Sequence, residues 1–100
     1  MKLEDCLNKE INVYLKESTA YFSGRNCDLD HITEKYSNLL VKLKDINEES
    51  ILGEEIEVPF HKCTYQDISF EAKSLIRKYK CTQTEILTIK YNDEMVYKNA

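Results

Sequence analysis

The sequence predicts an α+β domain, with an N-terminal antiparallel helical hairpin followed by a β-α-β-β segment whose small sheet has about three strands. Three observations favour this class. Apolar residues recur every third or fourth position through the first half of the chain, which is the spacing of an amphipathic helix. β-branched and aromatic residues become frequent after residue 84, as in strands. Two glycines and one proline leave few tight turns, which favours long regular elements.

The length and composition set the domain count and the broad class. One hundred residues fit a single domain over 1–100, which we divide into a helical hairpin (1–47), an acidic loop (48–54) and a β-α-β-β part (55–100). Charged residues make up 32% and apolar residues 42%, which excludes a disordered chain. The sequence predicts neither a membrane span nor a secretion signal. We therefore expect a cytoplasmic protein with reduced cysteines and no membrane contact.

The first half of the chain predicts two helices. Every fourth residue from Leu3 through Leu7 and Ile11 to Leu15 is apolar, which predicts a helix over residues 2–20. Gly24, within the segment 23–26, is the expected stop signal after this helix. A second helix begins after its N-cap, Asp28, and carries the apolar residues Leu29, Ile32, Tyr36, Leu39, Leu40, Leu43 and Ile46. A short connection favours antiparallel packing of the two helices. The hairpin also offers a surface for a homo-oligomer.

The second half alternates strands with a third helix. Residues 55–62 alternate as in a strand, and Pro59 places that strand at a sheet edge because proline cannot donate to a ladder. Thr64 and Asp67 resemble a capping box that opens a helix ending near Lys80. Residues 84–91 predict a strand, Asn92-Asp93 a hairpin turn, and residues 94–98 the return strand.

The acidic segment is the first candidate partner surface. Residues 45–57 hold six acids and no base, which suits steering toward a basic protein, although a solvated loop would show the same pattern. Tyrosine is favoured at interfaces because it joins a large apolar ring to a polar tip. The predicted partner-binding residues are Glu48, Glu49, Glu54, Glu55, Glu57, Tyr65, Tyr91 and Tyr97.

A basic stripe on the third predicted helix is the alternative. Lys73, Arg77 and Lys80 are spaced to share one helix face, which together with the C-terminal hairpin would suit a nucleic-acid-binding regulator. The net charge of −4 disfavours general nucleic-acid binding, because phosphate contacts need a basic excess.

A metal-dependent or thiol-dependent enzyme is the second alternative. Cys27, His31, His61 and Cys63 form a donor set that would suit tetrahedral zinc. Their spacing matches no familiar zinc motif, so we expect no metal and no other cofactor. The sequence contains no phosphate-binding loop and no nucleophile motif, so we expect a protein that is not an enzyme.

The leading hypothesis is that the protein is a small non-enzymatic protein-binding module. Heavy use of Lys, Asn, Ile, Glu and Tyr suggests an AT-rich genome and hence a phage, viral or mobile-element origin. We expect such a module to be an inhibitor or adaptor that acts on a host or defence protein.

Overall fold

The computed structural model describes residues 1–99 and shows a chain that is almost entirely β-strand, with 71% of its residues in strands. The predicted α+β class and its helical hairpin are therefore wrong. Over the described residues, the elements are a 3-10 helix (Leu3–Cys6) and eight strands: β1 (Glu10–Gly24), β2 (Asp28–Lys42), β3 (Asp45–Ile46), β4 (Ser50–Leu52), β5 (Glu57–Pro59), β6 (His61–Glu71), β7 (Ile76–Tyr91) and β8 (Glu94–Lys98).

The strands form two antiparallel sheets. The large sheet has the order β2-β1-β7-β6, and β8 pairs with the end of β7 that β6 leaves free. The small sheet has the order β3-β4-β5. The four long strands extend the molecule to 57 × 21 × 19 Å.

β1 shows why the first predicted helix is a strand. Ile11, Val13 and Leu15 are buried, while Asn12 between them is exposed, which is the period of two that buries one face of a sheet. A spacing of four is a multiple of two. The interval from Ile11 to Leu15 therefore fits one strand face as well as one helix stripe.

The second predicted helix fails for the same reason. Ile32, Tyr36 and Leu40 lie four residues apart on one face of β2, opposite Ala20, Lys16 and Asn12 of β1. Leu39 lies on the other face, opposite Val13. The apolar residues of this segment therefore divide between two faces of a strand.

The third predicted helix is replaced by a hairpin. The residues from Thr64 to Lys80 form most of β6, a turn and the first part of β7. Leu75 has a φ of 57°, which lies outside the right-handed helical region and closes the turn.

The C-terminal hairpin and the edge position of Pro59 are confirmed. β7 contains the predicted strand, and β8 has the bounds expected for the return strand. Asn92 and Asp93 have φ values of 48° and 64°, as the turn of a two-residue hairpin requires. Pro59 ends β5, which is an edge strand of the small sheet.

The hydrophobic core occupies one end of the molecule. We call the side of the large sheet that carries Val13 the core face and the opposite side, which carries Tyr14, the open face. At the core end, the small sheet and the 3-10 helix pack on the core face, and the buried cluster is Leu3, Cys6, Ile11, Val13, Leu15, Val41, Leu43, Ile51, Val58, Ile86 and Ile89. Toward the other end, which we call the distal end, the sheet continues as a single layer, and every residue of β6 is exposed.

Candidate protein-binding surface

Apolar side chains cluster on the open face at the distal end of the sheet. Residues that pair directly across strands project from the same face, so the register identifies the members of the cluster. Three ranks cross the sheet: Ile32, Ala20, Cys81 and Tyr65; then Leu29, Phe22, Tyr79 and Asp67; then Gly24, Arg77 and Phe70. We call this surface the distal patch. It also includes Ile68, which occupies a bulge beside Asp67.

Aromatic rings form the centre of the distal patch. The rings of Phe22 and Tyr79 are stacked, with centroids 4.8 Å apart. The ring of Tyr65 lies on the other side of Tyr79 at 5.0 Å and is tilted by 38°. The side chains thus cross three strands in continuous contact, a favourable geometry for aromatic pairs.

Arg77 and Asp67 form the charged pair of the distal patch. Both Nε and Nη2 of Arg77 lie within hydrogen-bonding distance of Oδ1 of Asp67, at 2.9 and 2.8 Å. The Tyr65 hydroxyl donates to the same oxygen at 3.0 Å. The guanidinium also lies 5.8 Å from the ring centroid of Tyr65 and 5.9 Å from that of Tyr79. Arg77 is therefore held in place by one carboxylate and two aromatic rings.

The surroundings of the patch shift three pKa values. Desolvation raises the pKa of Tyr65, and its hydrogen bond to Asp67 adds to the increase. Desolvation also raises the pKa of Tyr79, with further contributions from the neighbouring thiols of Cys27 and Cys81. The hydrogen bond and the charge of Asp67 raise the pKa of Arg77. The two tyrosines therefore stay neutral, and Arg77 stays charged, throughout the physiological range.

A cleft opens at the margin of the distal patch. Its volume is about 450 Å³, and its lining residues are Asp67, Ile68, Ser69, Phe70 and Arg77. Ile68 is 52% exposed and Phe70 is 62% exposed. A cleft of this size, with apolar walls and a fixed ion pair, can receive a large apolar side chain of a partner.

Polar residues border the patch on its core-end side and cover the opposite face. The next rank toward the core end consists of Glu34, Ser18, Gln83 and Cys63, and Glu34 forms an ion pair with Lys16 at 3.5 Å. On the core face, a rank of four threonines crosses the sheet at the same level: Thr33, Thr19, Thr82 and Thr64. The distal end is therefore apolar on one side and polar on the other.

The structure disperses the residues that the sequence nominated for partner binding. Tyr65 lies in the distal patch. Glu48, Glu49, Glu54, Glu55 and Glu57 are exposed in or next to the turns of the small sheet, at the other end of the molecule. Tyr91 and Tyr97 are partly buried against the core. The ring centroid of Tyr97 lies 5.1 Å from that of Phe60. The predicted acidic loop over 48–54 contains β4, whose Ser50 and Ile51 are buried.

The predicted basic stripe is not a common surface. Without a helix, Lys73 lies in the turn between β6 and β7, and Arg77 and Lys80 are three positions apart in a strand. An odd separation places side chains on opposite faces, so Arg77 is on the open face and Lys80 on the core face.

The candidate zinc ligands are also kept apart. Cys27 lies in the turn that joins β1 to β2. His31 stacks on Tyr21 on the core face, whereas His61 and Cys63 lie on the open face opposite Glu85 and Gln83. Among residues 1–99, the structure brings no three or more His, Cys, Asp or Glu side chains together as a metal site.

Sequence reasoning missed most of the distal patch. Phe22, Tyr79 and Phe70 belong to it, but the sequence pattern predicts none of them as a binding residue. The alternation of Arg77, Tyr79 and Cys81 with two lysines is a strand signal that would extend β7, but it does not show that β1 and β6 lie beside β7.

Comparison of the chain with known protein families, with curated proteins and with solved structures finds no match. No helix within the described part of the chain is long and apolar enough to cross a membrane.

Proposed function

We propose that the protein is a protein-binding module whose distal patch receives an apolar surface of its partner. The observation that carries this proposal is the contiguous array of exposed and half-buried apolar and aromatic side chains on one side of a single-layer sheet. Exposed apolar patches with a polar margin are typical of interaction sites. Tyrosine, phenylalanine and arginine are also the side chains enriched in the centres of protein interfaces.

Charge favours a protein over a nucleic acid as the occupant. The guanidinium of Arg77 is already neutralised by Asp67 at 2.8 Å, and Lys16 beyond the margin is paired with Glu34. A base-stacking platform would need free cations beside the rings to hold the phosphate backbone. A neutral aromatic surface instead suits a partner that contributes apolar side chains, one of which would enter the cleft between Phe70 and Arg77.

A photo-crosslinker can identify and map the partner. We would place p-benzoylphenylalanine at Phe70 of the patch and, as a matched probe, at Gln66, which is exposed on the core face of the same strand. We expect a crosslinked protein from Phe70 and not from Gln66. Adducts of equal yield at both sites would indicate indiscriminate contact and contradict the assignment of one face.

Two isoleucine variants then test the energetics with the recovered protein. Ile68 in the patch and Ile56 beside the small sheet are 52% and 45% exposed, so Ile68→Ser and Ile56→Ser make the same change at matched exposure. Loss of an apolar interface contact costs about 1–2 kcal/mol, so we expect Ile68→Ser to raise the Kd about fivefold to thirtyfold. Ile56→Ser should leave the Kd unchanged. A loss with Ile56→Ser alone would move the site to the acidic end.

A further inference from the structure

The outer edge of β2 has a composition that differs from ordinary sheet edges. β2 is a terminal strand of the large sheet and is 15 residues long. Its outward N–H and C=O groups can therefore pair with another strand, and proteins usually protect such edges with prolines, bulges, short strands or charged side chains. A bulge interrupts β2 near Asp30, but the stretch from Ile32 to Val41 pairs regularly, contains no proline or glycine, and has only one residue of each charge, Glu34 and Lys35.

The opposite edge of the sheet is protected. It is divided between β6 and β8, and β6 has a bulge at Ile68, the eighth of its 11 residues. The long continuous edge is therefore that of β2.

We propose that β2 pairs antiparallel with β2 of a second copy of this chain, with the twofold axis at Tyr36. In this register, Ile32 faces Leu40 of the second copy, Lys35 faces Ser37 and Glu34 faces Asn38. The three exposed apolar residues of the regularly paired stretch, Ile32, Tyr36 and Leu40, each gain an apolar neighbour. No two like charges face each other, and such cross-strand pairs determine which register is favoured.

The neighbouring registers are less favourable. An axis at Lys35 or at Glu34 places two like charges opposite each other. An axis at Ser37 places Lys35 opposite Leu39 and Glu34 opposite Leu40, and an axis at Asn38 leaves Ile32 beyond the end of the paired segment. The strand is thus most complementary to itself in the Tyr36 register.

In the dimer, the open faces of the two copies would lie on the same side of one sheet. A twofold axis between antiparallel edge strands runs perpendicular to the sheet, so the same face of each copy points in the same direction. The large sheets would become one continuous sheet with a distal patch at each end of one side. The dimer inference itself does not depend on the proposed function, because β2 pairs through its backbone edge.

Ser37 provides a test that is specific for the register. In the Tyr36 register, Ser37 faces Lys35 of the second copy twice per dimer. Ser37→Glu therefore adds two attractions to Lys35 and should lower the dimer Kd by about threefold to tenfold. Ser37→Lys adds two repulsions and should raise the dimer Kd by a similar factor. In the Ser37 and Asn38 registers, both substitutions would weaken the dimer.

The matched control lies on the other edge. Ser69 is also exposed, also occupies an edge strand and also has one lysine neighbour, Lys78. The control variants are Ser69→Glu and Ser69→Lys. We would measure the dimer Kd of the full chain, of these two variants and of the two Ser37 variants by sedimentation equilibrium, with circular dichroism to verify the fold. The proposal predicts a dimer of the 11.8 kDa chain, opposite shifts for the Ser37 pair and no shift for the Ser69 pair. A monomer at all concentrations, shifts of one sign at Ser37, or shifts at Ser69 would overturn it.

Discussion

Replacing Leu43 with alanine is expected to destabilise the protein far more than the same replacement of Leu75. Leu43 is 0% exposed and belongs to the core cluster. The change removes three carbons, worth about 2.4 kcal/mol of transfer free energy at ~0.8 kcal/mol per carbon, and the cavity brings the total to about 3–5 kcal/mol. That is a large fraction of the about 5–15 kcal/mol that stabilises a typical domain.

Leu75 is the informative control, because the sequence predicts it within the third helix, where an apolar residue would be expected to face the core. In the structure it is 61% exposed in the turn between β6 and β7. Folding buries only about two-fifths of Leu75, so the replacement should lower the free energy of unfolding by about 1 kcal/mol. Urea unfolding followed by circular dichroism would give both free energies of unfolding, with similar m-values. Equal losses for the two variants would refute the strand assignment and its division of buried and exposed leucines.

Two further predictions concern the tyrosines of the patch and a glycine of the core end. The raised pKa values of Tyr65 and Tyr79 predict that part of the tyrosine absorbance change occurs above the ordinary tyrosine pKa of about 10, and that Tyr65→Phe and Tyr79→Phe remove this part. Because folding raises these pKa values, the stability they contribute is present below about pH 10 and is lost as the pH rises through the folded-state value. A late part of the absorbance change that both substitutions leave intact would contradict this. A Cβ at Gly53 would lie 2.8 Å from Cγ1 of Val41, so Gly53→Ala should cost about 1–3 kcal/mol and Val41→Ala should partly rescue it in a thermal melt. If the double variant loses as much stability as the two single variants together, the result would argue against that contact.

Local turn signals predicted parts of this fold, whereas hydrophobic periodicity did not. Asn92-Asp93 determined its hairpin because both residues tolerate positive φ, and Pro59 marked an edge because it lacks an N–H. The spacing from Ile32 to Tyr36 to Leu40 has no such local signature, since residues four apart share a face in a helix and in a strand alike. A single-layer sheet also leaves apolar residues of the open face exposed. The usual inference from apolar spacing to burial therefore fails in the distal half.

The distal patch could not be predicted for a related reason. Phe22, Tyr65 and Tyr79 lie far apart in the sequence and meet through strand register. The choice of β1 and β7 as central strands is set by long-range pairing and not by any short segment. Of the predicted partner residues, Tyr65 lies in the patch, while the role predicted for the acidic segment stays a prediction.

Paramagnetic attenuation of isoleucine methyl signals by a soluble nitroxide, measured before and after addition of the partner identified by crosslinking, tests the distal patch most directly. In the free protein, the methyl groups of Ile68 and Ile56 should both be strongly attenuated, whereas those of Ile86, which is fully buried, should not. On binding, we expect the methyl groups of Ile68 to become protected and those of Ile56 to stay attenuated. Protection of Ile56 with continued attenuation of Ile68 would contradict the assignment of the distal patch as the partner-binding surface.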